Sequence, residues 1–172
     1  MSDAKIFDRL RADHERVRGE IVMLEQAAGI VRSTTPNGAS LHLLLEGLRQ
    51  EFEVHMKAED EVLFPLLLRA LPHLRGQLES LATEHRELRG MLGALLETVD
   101  QPSSAARNEQ IAIQARDFVD LLRIHLRKEE AVVFRVAERL LAPAEVQNFA
   151  DHMARSDSRT RKNPSRMKGN AG

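Results

Sequence analysis

Two stretches of this chain place a histidine four residues before a glutamate. They are His55-Met56-Lys57-Ala58-Glu59-Asp60-Glu61-Val62-Leu63-Phe64 and His125-Leu126-Arg127-Lys128-Glu129-Glu130-Ala131-Val132-Val133-Phe134. Both read His-x-x-x-Glu-acid-x-Val-apolar-Phe. On a helix, residues four apart lie one turn apart on the same face, with Cβ atoms about 5–6 Å from each other. An imidazole nitrogen and a carboxylate oxygen so placed can hold one metal ion from one helix. Two copies make two such half-sites.

Each half also carries a lone histidine. Asp13-His14-Glu15-Arg16-Val17 resembles Glu84-His85-Arg86-Glu87-Leu88. His14 to His85 spans 71 residues and His55 to His125 spans 70, so the chain reads as a duplication. A single histidine on an apolar helix face is more often a core residue than a ligand. A lone His-x-x-x-Glu is often a surface pair. The combination differs, because four histidines and two glutamates among apolar neighbours are costly to bury without a partner. His14, His55, Glu59, His85, His125 and Glu129 are therefore the candidate metal ligands. Six ligands exceed the needs of one tetrahedral zinc. Divided by two they give two histidines and one carboxylate per ion, the donor set of non-haem iron, and the glutamates can bridge two ions.

The elements that position these residues follow from apolar spacing. Ile6, Leu10, Val17, Ile21 and Leu24 predict a helix over about 4–28, with Ser2 and Asp3 as caps. Residues 29–39 read as a loop. A second helix is expected over about 40–70, bent and not ended by Pro65. A third is expected over about 74–99 and a fourth over about 106–141, with breaks at Leu71-Pro72-His73 and Asp100-Gln101-Pro102-Ser103-Ser104. Pro143 fits the first position of a short fifth helix, about 143–154, with Val146, Phe149 and Met153 as its apolar stripe. Short connections make neighbouring helices antiparallel. The fold expected is all-α: an antiparallel up-down-up-down four-helix bundle with a short extra C-terminal helix, over 1–154. Residues 155–172, with six basic residues and one acid, read as a disordered basic tail.

Composition narrows the function classes. With 25 basic and 26 acidic residues in 172, no global charge points to nucleic acid. The lack of cysteine excludes disulfides, thiolate zinc sites and iron–sulfur clusters in this chain. There is no tyrosine to carry a radical. No apolar run reaches the roughly 18 residues of a membrane span. The N-terminus carries charges where a signal peptide needs its apolar region, so the cytoplasm is the expected compartment. Neither nucleic acid nor membrane is an expected partner.

Outside the duplicated pattern, His42, His73 and His152 read as structural or exposed. Asp60, Glu61 and Glu130 read as surface acids or as supports for the ligand histidines. Phe64 and Phe134, and Met23, Met56 and Met91, are expected in the core.

The order His14, His55-x-x-x-Glu59, His85, His125-x-x-x-Glu129 on four helices resembles the hemerythrin-like (HHE cation-binding) domain. Leu63-Phe64-Pro65 is similar to the run such domains show after the first pair. The resemblance covers about residues 5–142. It implies a non-haem di-iron centre of two iron ions at mid-bundle. It also implies a small ligand (oxygen, nitric oxide or peroxide) and a role in oxidative or nitrosative stress or in iron handling. Oxygen-carrying hemerythrins have His-x-x-x-His on the third helix and His-x-x-x-x-Asp on the fourth; this chain has His85-x-x-x-Arg89 and His125-x-x-x-Glu129. A fifth histidine is thus missing, and Glu51, one turn before His55, is a substitute on geometry alone. The departure favours a reactive or sensing centre over reversible oxygen storage. It does not establish an enzyme. The competing readings are a non-catalytic iron or divalent-metal sensor acting through a partner, and a plain interaction bundle.

Overall fold

The computed structural model describes residues 4–33 and 38–162. Within them the chain forms five helices: α1 (Ala4–Ser33), α2 (residues 38–70), α3 (Arg75–Val99), α4 (residues 105–140) and α5 (Pro143–Lys162). Residues 1–3, 34–37 and 163–172 lie outside the described residues, and with them the expected caps Ser2 and Asp3.

The helices form because each carries apolar residues every three or four positions and buries them toward a common axis. On α1 these are Phe7, Leu10, Val17, Ile21, Leu24 and Ala28. The helix runs five residues past its expected end, since one glycine, Gly29, costs a helix only about 1 kcal/mol. Helix α1 packs against α2 and α4, and α3 packs against the same two. The links are short. A 3₁₀ turn, Pro72–Leu74, joins α2 to α3, and residues 100–104 join α3 to α4, where the Ser104 hydroxyl caps α4 by accepting from Arg107 N at 3.1 Å. Neighbours are therefore antiparallel, and the all-α up-down-up-down bundle is the observed fold.

The core falls into two apolar clusters, one holding Val17, Leu24, Leu48, Leu92 and Phe118, the other holding Phe7, Leu63, Leu81, Phe134 and Phe149. On each of the four bundle helices the chain passes from one cluster to the other, and the candidate ligands sit at the crossing. His14 lies between Leu10 and Val17, and His85 between Leu81 and Leu88. The polar side chains are thus held between two dry layers.

Helices α2 and α4 each widen at their glutamate into a π turn, Glu59–Leu63 and Glu129–Phe134. Pro65 follows the first of these, so the expected bend takes this form. The proline is not its general cause, because Arg135 stands at the matching place after the second. What the two turns share is a fully buried glutamate followed by a second acid. π turns are rare and concentrate at functional sites. The wider turn lets two consecutive acids reach the interior.

Helix α5 buries Val146, Phe149 and Met153 and packs against α2. It continues to Lys162, so residues 155–162 are helical, contrary to the disordered tail expected from 155. No proline or glycine falls between Pro143 and Lys162, and basic residues at a helix C-terminus favour the macrodipole. Met56 is buried as expected, whereas Met23 is 55% exposed because it faces away from the bundle. Among the described residues, no helix is long and apolar enough to cross a membrane.

Candidate metal centre

The structure brings all six sequence-predicted residues together. His14, His55, His85 and His125 converge with Glu59 and Glu129, and none of the six is more than 9% exposed. The histidines form two pairs: Nε2 of His14 lies 3.1 Å from Nε2 of His55, and Nε2 of His85 lies 3.0 Å from Nε2 of His125. The two glutamates stand between the pairs. Glu59 places Oε1 3.2 Å from His55 Nε2 and Oε2 3.5 Å from His85 Nε2. Glu129 places Oε1 3.0 Å from His125 Nε2 and 3.2 Å from His85 Nε2, and Oε2 3.3 Å from His14 Nε2. Each carboxylate therefore presents one oxygen to each histidine pair. The residues fall into two groups that could each hold a cation, His14, His55, Glu59 and Glu129 in one and His85, His125 and Glu129 in the other, with Glu129 common to both.

Both oxygens of Glu59 and Oε2 of Glu129 are buried and receive no hydrogen bond. Buried carboxylate oxygens without donors are rare and need explanation. A cation supplies it. The donor set of imidazole nitrogens and carboxylate oxygens suits a divalent transition metal such as iron, so the residues present fit the metal that the pattern implies.

Supporting side chains repeat with the same pseudo-two-fold symmetry. Glu130 Oε1 lies 2.9 Å from His14 Nδ1, and Asp60 Oδ1 lies 2.8 Å from His85 Nδ1. Each of these acids directly follows a candidate glutamate ligand. Glu84 Oε2, just before His85 in sequence, lies 3.1 Å from His125 Nδ1. An acceptor on Nδ1 fixes the tautomer that leaves Nε2 as donor to a metal. Phe64 stacks on His85 with centroids 5.6 Å apart, and Phe134 lies 5.0 Å from His14. Glu61 takes no part. It faces Lys57 and His152, each at 3.8 Å. His42 pairs with Asp100 at 2.8 Å and His73 is exposed.

Electrostatics follow from this crowding. Burial lowers the proton affinity of His55, but the Glu59 carboxylate outweighs it and the pKa is raised to about 9. For His85, burial is likewise outweighed, by Asp60, Glu129 and Glu59, and the pKa is raised to about 10. His125 is raised through Glu129 against the same penalty. Burial pushes Glu129 up, but the surrounding histidines, His125 first, hold it well below the usual carboxylate range.

A cavity of about 630 Å³ opens between α1 and α2 onto His14, His55, His125 and Glu129, lined also by Asp13, Glu51 and Met153. Glu51 thus lies on the His14 side, away from the position of the missing fifth histidine. There, Arg89 donates through Nε to Glu53 at 3.0 Å and reaches Asp60 at 3.4 Å. Glu84, Lys128 and Arg18 were not singled out as site residues from sequence. The signal was present in the repeat: an acid precedes each lone histidine (Asp13, Glu84) and an arginine follows it by four (Arg18, Arg89).

Residues 5–137 match the sequence model of the hemerythrin HHE cation binding domain. No curated protein matches the chain.

Proposed function

Because this chain belongs to the hemerythrin HHE cation-binding family, we propose that it holds two iron ions in a non-haem centre that binds or reacts with a small ligand, namely oxygen, nitric oxide or peroxide. His14 and His55 would hold one ion and His85 and His125 the other, with Glu59 and Glu129 bridging. The observation that carries this reading is the pair of fully buried glutamates, whose unpaired oxygens face a histidine pair on either side. A buried carboxylate needs a positive partner; the surrounding histidines supply it in the metal-free protein, and bound cations would supply it in their place. Open two-histidine-carboxylate sets with bridging carboxylates favour iron over zinc, whose structural sites are closed and tetrahedral.

When bound, a pair of iron ions supplies redox equivalents to a small oxidant. The protein's part is access and exclusion. The cavity between α1 and α2 admits a small ligand to the His14 and His55 end. Phe64 and Phe134 and the two apolar clusters keep bulk water from the rest. A role in oxidative or nitrosative stress or iron handling follows from that reactivity.

The test is the metal content of protein purified anaerobically without chelator. About two irons per chain, falling sharply in His55→Ala, is expected. One zinc per chain, or no metal and an unchanged melting temperature in the variant, would overturn the reading.

A further inference from the structure

Behind three of the four histidines stands a cation as well as an acid. Arg18 Nη2 donates to Glu130 Oε1 at 2.7 Å, and that oxygen lies 2.9 Å from His14 Nδ1. Arg89 points both terminal nitrogens at Asp60 Oδ2 at 3.4 Å, while Asp60 Oδ1 lies 2.8 Å from His85 Nδ1. Lys128 donates to Glu84 Oε1 at 2.6 Å, and Glu84 Oε2 lies 3.1 Å from His125 Nδ1. His55 is the exception. Asp13, which precedes His14 as Glu84 precedes His85, is drawn to Arg16, and Ala58 stands where Lys128 stands.

Arg18 and Arg89 are related by the duplication. Each lies four residues after a lone histidine, and each grips the acid that backs that same histidine from the facing helix. Arg89 also occupies the place where oxygen-carrying hemerythrins have a fifth histidine. We propose that Arg89 is a positioning residue for the metal held by His85 and His125, and that Arg18 serves the His14 position in the same way. The place of the fifth ligand is thus given to a guanidinium that acts on the metal through Asp60 and His85. The inference rests on the two-metal reading above.

The physical case is as follows. A half-exposed carboxylate beside a buried imidazole is free to turn to water. A planar guanidinium donates from fixed directions and holds it in one orientation. The held carboxylate keeps the Nδ1 proton in place, aims Nε2 at the metal and strengthens it as a donor. The ordinary alternative is a surface ion pair, since Arg89 is 31% and Asp60 27% exposed. Such pairs contribute little, whereas here the arginine–acid–histidine chain is kept in both halves with a ligand histidine at the end of each.

The test titrates cobalt(II) into the chelator-treated full chain and follows its visible absorption. The wild type is compared with Arg89→Gln, Asp60→Asn, the double variant, and Arg123→Gln, a control in the surface pair with Glu25. Arg89→Gln should weaken one of two bound cobalt ions by about 10–100-fold and shift its band, with the melting temperature of the metal-free protein unchanged. Asp60→Asn should weaken the same ion, and should also lower the melting temperature of the metal-free protein near neutral pH, because it removes a carboxylate that raises the His85 pKa. The double variant should be no worse than Asp60→Asn alone, because the arginine acts through that acid. Arg89→Lys, which keeps the charge but not the fork, serves if the glutamine variant fails to fold, and should give an intermediate loss. Two ions bound as tightly in Arg89→Gln as in the wild type, or losses that simply add, would overturn the positioning role alone. Fewer than two cobalt ions in the wild type would overturn the two-metal reading and this inference with it.

Discussion

The Nε2 atoms of His85 and His125 lie 3.0 Å apart in the interior of the bundle. Two imidazole nitrogens at that distance cannot both present bare lone pairs to each other. They share a proton or they share a metal ion. The same holds for His14 and His55 at 3.1 Å. The centre is therefore a place where protons and metal compete, and the two glutamates determine how strongly each is held.

That competition predicts a pH dependence. In the metal-free protein the pKa of His55 is raised to about 9 and that of His85 to about 10, against about 6.5 in an unfolded chain. A folded-state pKa above the unfolded one stabilises the protein fully below the unfolded value. The contribution is lost as pH rises through the folded value. The melting temperature of the chelator-treated protein should thus fall between about pH 7 and pH 10. Metal affinity should run the other way, rising by about tenfold per pH unit for each proton displaced. Calorimetric cobalt titrations at pH 7 in buffers of different ionisation enthalpy should register proton release. A heat independent of the buffer would contradict this.

Glu20 predicts a loss of the same sign at lower pH, away from the ligands. Burial and then the nearby Glu51 raise its pKa to about 7, and its Oε2 is buried without a hydrogen bond. Its folded pKa also lies above the unfolded value of about 4.5, so its protonated form favours folding. That contribution is present below about pH 4.5 and is gone above pH 7. Glu20→Gln removes the charge and should raise the melting temperature at pH 8 by about 2–4 °C, with little gain near pH 4.5. Equal gains at both values would show that the carboxylate's ionisation is not the cause.

Most of this was legible in the sequence because helical spacing and duplication are both periodic signals. The four histidines and two glutamates stand at positions that one helical repeat brings to one face, and the structure places all six within one cluster. The π turns were not legible. Residues 59–63 and 129–134 carry ordinary helix-forming side chains, and only the tertiary need to bring Glu59 and Asp60 inward together distinguishes them. Arg18 was overlooked, and Arg89 was read only as the place of a missing histidine, for a related reason. An arginine four residues along a helix reads as a solvent-facing charge until the opposite helix supplies its acid. Met23 was misread as core because periodicity locates an apolar face only to within about one residue position.

Helix α5 lies beyond the matched residues 5–137, yet Phe149 is 0% exposed within the same cluster as Phe7 and Phe134. Phe149→Ala should cost about 3–5 kcal/mol, because the cavity left by a buried phenylalanine closes only in part. Chemical denaturation should show this as a lower midpoint with an unchanged slope. A loss under about 1 kcal/mol would mean that α5 is an appendage and not part of the bundle.

Access should be separable from metal binding at Gly47. This residue lines the cavity that opens on His14 and His55, and a Cβ added there meets no atom within 4 Å. It sits within the helical stretch Gly38–Ala58, without a backbone conformation that requires glycine. A Cβ is therefore accommodated, and replacing glycine inside a helix favours the fold slightly. Gly47→Phe should narrow the mouth without touching a ligand. Azide association with the iron-loaded protein, followed by stopped-flow absorption, should slow severalfold, while iron content stays at the wild-type level and the melting temperature does not fall. Unchanged association with unchanged iron would place the route elsewhere, and the α1–α2 cavity would lose its assignment as the ligand's path.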